Sequence, residues 1–490
     1  MAEAFRLRIR EVDARECAVK NRLAFRFGNT TSTHGRQMVV RARIELADGR
    51  SAWGAAAEAL AGAWYNKSPA LTEDQKHDQL RLAIELASRR YLEQGSETAF
   101  GHFENACGFL DDECARWRMP ALMASYGAAL LDRCVLDALG RLTGASFWDL
   151  MRGNRAGLRA TPLAPDLAGF DFDAFLRSLA PAQQLHIRHT VGLVDPIVAA
   201  DQPAGSGPDD GLPETLEQVA ATYRHRYYKI KVCGDVEADL QRLAAIASVL
   251  DRQGTPYHVT LDGNEQYREP GAVVRLLRSI ERAAPLQRFH ASILWLEQPL
   301  ARDAALTADV RAIDALRPVI IDESDADLDA FPAAIALGYR GVSSKNCKGL
   351  YKSVLNRARC QVRNAGAAEG RYFMSAEDLT TLPGLSLQQD LALVSLLRLA
   401  HVEKNAHHFV DGMRHRPQGE QRSFAEAHPD LYRLDPLADG GCVARLKISE
   451  GTVAIGSLDV PGHSYRAGID WASLEPAPAS RWPDTVKEIE

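Results

Sequence analysis

The sequence predicts an α/β protein built on a (β/α)₈ (TIM-like) barrel, with an α+β N-terminal capping domain completed by the C-terminal tail. Two observations carry this. First, KIKV (229–232), LDGNE (261–265), WLEQPL (295–300), IIDES (320–324) and VSSKN (342–346) each place a charged group at or just past the end of a short apolar run. From Lys231 to Asp262 is 31 positions, and the steps on to Glu297, Asp322 and Lys345 are 35, 25 and 23. Each step is about the length of one strand plus one helix, the repeat of a barrel whose strand ends carry the site. Second, eight β-like segments alternate with helical ones over the middle of the chain, which implies a parallel sheet that eight units close.

Length and composition bound the rest. A chain of 490 residues allows two or three domains. A net charge of −6 and a pI near 6.2 leave no basic face for nucleic acid. The eight cysteines are scattered without a C-x-x-C pair and read as reduced thiols. Cys233 and Cys347, close to the motifs, read as packing residues. MAEAFRLRIREVDARE lacks a signal-peptide core, and the apolar stretches fall far short of the ~18 residues of a membrane helix. The expectation is a soluble, cytoplasmic protein without nucleic-acid or membrane partners.

Taken in order, residues 1–60 alternate as FRLRIREV and VVRARIELADG, an antiparallel pair. Residues 72–98 and 119–153 have helical patterning, with Pro120 at a start and Gly144 at an end. The capping domain is therefore bounded at 1–154, the barrel at 155–440, and a returning tail at 441–490. The barrel strands are placed at 185–191, 226–233, 257–262, 293–297, 318–322, 341–345, 371–375 and 407–410. Residues 193–216, rich in Pro, Gly and Asp, form a long loop after the first barrel strand, at the end where a lid would sit. The tail segments CVARLKISEG and TVAIGSLDVPG are β-like and are expected to rejoin the N-terminal sheet.

The chemistry lies in the spaced motifs. Asp262, Glu297 and Asp322 each follow an apolar strand, and isolated buried charges are costly. Taken singly, each would ordinarily pair with Lys or Arg or cap a helix. Three at one-module spacing point to a shared cation, and oxygen ligands without His or Cys favour Mg²⁺, with Mn²⁺ as the alternative. Lys229 and Lys231 share a strand face, and crowding of like charges is expected to lower a lysine pKa toward neutrality. Lys345 ends the sixth strand, roughly opposite the second. Lysines on two sides of one substrate could remove and return a proton at one carbon, while the metal stabilises the enediolate. His186 and His189, and the adjacent His407 and His408, have spacings that do not put a pair on one strand face, and are assigned structural roles.

These residues, with RFGNTTST (26–33), GRSAWGAAAE (49–58), AALLDRCVLDALGRLTGASFWDLMRG (128–153) and PGHSYRAGID (461–470), resemble the enolase superfamily in its mandelate racemase/muconate lactonizing enzyme branch. The resemblance implies Asp262, Glu297 and Asp322 as metal ligands, and Lys231, its neighbour Lys229 and Lys345 as acid/base lysines. It also implies Asn264 as a supporting group beside the metal, and gives Glu323 the Glu of D-E-S. The substrate would be a small-molecule carboxylate and the assembly a homo-oligomer. Racemisation or epimerisation is the leading expectation, with cycloisomerisation or β-elimination as the alternative, and a non-catalytic metal-binding scaffold as a reading of another class. HHFVDGM (407–413) has only Asp411 where dipeptide epimerases of this branch carry D-x-D at the eighth strand, and the chain has extra sequence near 60–118, 154–184, 193–216 and 411–440.

Overall fold

A computed structural model describes residues 4–27, 30–202, 205, 207–208, 210–367 and 370–489. Gly28 and Asn29 of the RFGNTTST motif lie outside the described residues.

The N-terminal sheet is antiparallel: β1 (Arg6–Phe27) pairs with β2 (Thr30–Leu46), and β2 with β3 (Ser51–Ala59). Its alternation buries Leu7, Ile9, Val40, Ala42 and Ile44 on one face. A two-residue strand, β4 (Glu97–Thr98), also pairs with β1. Helices 73–93, 99–116 and 124–143 accompany this sheet. The first begins with a capping box between Thr72 and Gln75. The third follows a short turn after Pro120 and stops at Gly144, whose φ of 68° is the left-handed conformation a glycine accepts freely. Helix 124–143 is buried on every side, as an apolar sequence such as ALLDRCVLDAL requires, because it lies between the cap sheet and the barrel. Its Arg133 shows both contacts, donating to Ala57 O in the cap and to Gln389 Oε1 in the barrel. The helix spanning 99–116 falls in sequence to which no element was assigned.

The barrel strands are β5 (Gln184–Val191), β6 (Tyr227–Lys231), β7 (His258–Asp262), β8 (Ile293–Glu297), β9 (Val319–Ile321), β10 (Gly341–Ser344), β11 (Phe373–Ala376) and β12 (His401–Lys404). Neighbours pair in parallel in this order, and β12 closes onto β5 with Lys404 opposite His189. The eighth strand is a correction to the sequence reading: it is HVEK at 401–404, and 406–409 is a short helical turn. The inward positions of HVEK are His401 and Glu403, so no apolar run marks it, whereas HHFV looks more strand-like.

The tail is also corrected in part. β13 (Tyr432–Pro436) and β14 (Cys442–Leu446) form a hairpin, and β15 (Thr452–Ala454) adds antiparallel to β5 of the barrel. Among the described residues, β16 (Glu475–Pro476) is the tail strand that joins the N-terminal sheet, pairing with Arg15 and Glu16 of β1. The parallel strand β5 still offered backbone groups that β15 could satisfy.

Candidate active site

Alternation along the strands sends Arg188 and Thr190 of β5, and Lys229 and Lys231 of β6, into the barrel. The lower interior is an aromatic layer. Tyr227 stacks on His401 at 4.2 Å, His401 lies 5.5 Å from Trp295, and the Arg188 guanidinium sits 5.3 Å from the Trp295 ring. Above it Arg188 pairs with Glu377, and above that lies the ionic centre.

Lys229 Nζ is that centre. It lies 2.9 Å from Asp262, 2.8 Å from Glu297, 2.8 Å from Glu377 and 2.9 Å from Glu403. Burial works against its charge, but these four carboxylates outweigh burial and hold its pKa well above the ordinary lysine value. The expectation that Lys229 and Lys231 drive each other toward neutrality is therefore corrected for Lys229, because nearby acids, not a second ammonium, dominate its surroundings. Lys231 Nζ donates to Asp262 at 2.6 Å, and Lys345 Nζ to Asp322 at 2.5 Å. Lys345 also faces the Trp64 ring from 4.4 Å. Burial opposes its charge too, and Asp322 overrides this and raises its pKa.

Asp262, Glu297 and Asp322 end adjacent strands or follow them directly, and are fully buried. Burial would raise the pKa of all three. Lys229 and Lys231 reverse this for Asp262, and Lys345 and Lys348 do so for Asp322. Glu297 goes the other way: burial, then Asp262 and Glu377, push its carboxyl well above the usual range. The acids do not close into one knot. Among the described residues no three of these carboxylates bring their oxygens within 4.8 Å of one another, because lysines stand between them. Asn264, at φ 39°, donates through Nδ2 to Glu323 at 3.2 Å. Asn264 Oδ1, Glu323 Oε2 and Glu297 Oε2 are buried and accept no hydrogen bond, although Lys229 Nζ stands beside the last. Acid in excess and unsatisfied oxygens make a donor set suited to a hard divalent cation.

These groups lie beneath a cavity of 1490 Å³. Lys229, Lys231, Lys345, Asn264 and Glu403 line its floor, and cap residues including Phe25, Arg36 and Trp64 cover it. Sequence reasoning missed Glu377, Glu403, Trp64 and Lys67, which approaches Glu323 to 3.4 Å. Glu403 was hidden by the misplaced eighth strand. The two cap residues lie far along the chain from every barrel motif, so no spacing signals them. The loop after β5 is clamped by Arg22 of β1, whose guanidinium donates to Asp210 at 2.5 and 2.8 Å and to the carbonyls of Pro213 and His408.

Residues 212–419 match the family model described as enolase C-terminal domain-like. Among curated proteins none matches the chain at a significant level. Among solved structures, an enolase from Mycobacterium smegmatis complexed with tartrate is similar with a TM-score of 0.58 and 15% identity, over 99% of this chain and 92% of that one. A dipeptide epimerase from Enterococcus faecalis is similar at 0.56 and 15%, over 93% and 99%. The muconate lactonizing enzyme from Pseudomonas fluorescens complexed with muconolactone is similar at 0.55 and 16%, over 94% and 97%. The barrel segment thus matches the enolase C-terminal domain-like family model, and the chain has the fold of the mandelate racemase/muconate lactonizing enzymes.

Proposed function

We propose that the protein is an enzyme that abstracts the proton α to a substrate carboxylate, and that it is a racemase or epimerase of a small-molecule carboxylate. The observation that carries this is the pair of buried amines, Lys231 of β6 and Lys345 after β10, at the floor of one cavity and each bonded to its own acid. Asp262, Glu297 and Asp322 would hold Mg²⁺, which supplies Lewis-acid stabilisation of the charge that develops on the carboxylate. Lys231 Nζ takes the proton from one face, and Lys345 Nζ holds the proton that returns on the other. Glu377 and Glu403 keep Lys229 charged and so fix the middle of the site. The cap, through Trp64 and Phe25, excludes water from the reacting carbon.

A second reading has its own observation. Asp322 and the Trp64 face both favour the ammonium form of Lys345, which suits a fixed cation beside an enolate better than a base. A cycloisomerase or β-elimination lyase, with Lys231 as its single base, would use it so. Exchange of the α-proton in D₂O with Mg²⁺, across a panel of chiral carboxylates, tests both. For a racemase, Lys231→Ala abolishes exchange from one enantiomer and Lys345→Ala from the other, each by about 10²–10⁴-fold. For a single-base enzyme, Lys231→Ala abolishes exchange from the sole reactive enantiomer and Lys345→Ala only slows it. Full exchange in both variants refutes the lysine assignment. A panel with no exchange and no turnover in the unmodified protein supports the scaffold reading.

A further inference from the structure

Outside the barrel lumen, four histidines converge behind β5 and β12. His189 lies on β5 between Arg188 and Thr190, which both point inward, so its imidazole points outward into the helix layer. His225 occupies the turn between helix 216–223 and β6, and His407 and His408 the helical turn 406–409 after β12. The rings of His189, His225 and His407 form a nearly equilateral triangle, with centroids 5.5, 5.3 and 5.4 Å apart. One ring nitrogen from each lies within 4.8 Å of the other two, and His189 Nδ1 is 3.2 Å from His407 Nε2. The His408 ring lies 5.0 Å from that of His189.

A buried imidazole normally has a partner at each polar nitrogen. Here both nitrogens of His225, and Nδ1 of His407 and of His408, are buried without a well-formed hydrogen bond, although the backbone of Ile187 faces His225 and that of Lys404 faces His407. Burial keeps the rings neutral: His407 is pushed down to about 3, and His189, His225 and His408 lie well below the usual histidine value. Neutral rings offer lone pairs with no proton to displace. Two nitrogens bound tetrahedrally at 2.0–2.1 Å stand about 3.3 Å apart, close to the observed His189–His407 separation. All-imidazole donors select borderline transition metals rather than Mg²⁺.

We propose that His189, His225 and His407 form a second metal site, distinct from the carboxylate centre, that binds one divalent transition-metal ion of the Zn²⁺ class, with His408 adjacent. Its role is structural. The turn 406–409 leads into Phe409, Val410 and Asp411, which line the cavity, and Arg22 holds the His408 carbonyl together with Asp210. An ion fixing His407 to β5 braces one wall of the cavity and the clamp of the loop after β5.

The experiment uses the full chain, stripped with chelator, held in excess Mg²⁺ and offered Zn²⁺ or Co²⁺. After desalting, elemental analysis is expected to find one equivalent of the transition metal per chain, with a Co²⁺ visible spectrum of low-coordinate nitrogen ligation and a melting temperature that rises with Zn²⁺. His225→Gln and His407→Asn are each expected to weaken binding by more than about 100-fold, since loss of even an outer partner costs about 10–100-fold. Glu297→Gln is expected to retain the equivalent, which separates this site from the proposed catalytic one. A substoichiometric trace in the unmodified protein overturns the proposal, and so does an undiminished equivalent in either histidine variant that remains folded by circular dichroism. Should neither variant fold, the Co²⁺ spectrum of the unmodified protein decides, and a spectrum without nitrogen ligation refutes the site.

Discussion

Lys229 is shared by four buried acids, and removing it leaves them facing one another with less compensating charge. Lys229→Met is therefore expected to destabilise the fold by about 3–5 kcal/mol, the cost of breaking a buried ionic group by deleting one partner. Urea unfolding at neutral pH measures it, and a loss under about 1 kcal/mol, typical of an exposed pair, contradicts the assignment. Asp132 offers a second test away from the site. Its carboxyl accepts from Tyr91 Oη at 2.7 Å, and burial raises its pKa from 3.8 to about 8. Between those values the folded state keeps a proton that the unfolded state has released. Its contribution is therefore full below pH 3.8 and is lost as pH rises toward 8, by up to about 1.4 kcal/mol per pH unit. Asp132→Asn is expected to flatten that part of the melting-temperature profile and to raise stability at pH 8.

At the scale of elements, the cap is held to its long helix by close approach. A Cβ on Gly54 of β3 would stand 2.1 Å from the Cys134 carbonyl and 2.3 Å from the Ala138 nitrogen of helix 124–143. Both are backbone atoms and cannot swing aside. Gly54→Ala is expected to cost about 1–3 kcal/mol by forcing sheet and helix apart, read as a lower urea midpoint. Gly54 lies within the alternating GAAAE stretch, where small residues give no sign of which one meets a neighbour. The ends of helix 124–143, by contrast, were legible, because Pro120 and Gly144 act through local backbone geometry alone. Seven barrel strands were placed from their apolar runs. The eighth was not, because its inward residues belong to the polar interior.

Over the whole molecule, Arg22 joins three distant segments: β1, the loop after β5 and the turn after β12. Arg22→Ala is expected to release the loop around Asp210, seen as faster proteolysis between residues 196 and 213 and a raised KM. A loop as resistant as in the unmodified protein would show that Arg22 does not hold it. Among the described residues no helix is long and apolar enough to cross a membrane.

The chain alone specifies the fold class, the alternation of strand and helix through seven barrel units, and the places of Lys229, Lys231, Asp262, Glu297, Asp322 and Lys345 at strand ends. Those follow from period, spacing and the cost of charge beside apolar strands, all local quantities. The folded barrel settles which charges meet. It set Glu377 and Glu403 around Lys229, laid Trp64 over Lys345, and brought His225 to His189 and His407, because a barrel closes residues far apart in the chain onto one axis. A lysine's charge state depends on that company, so the spacing of K-x-K alone could not fix it.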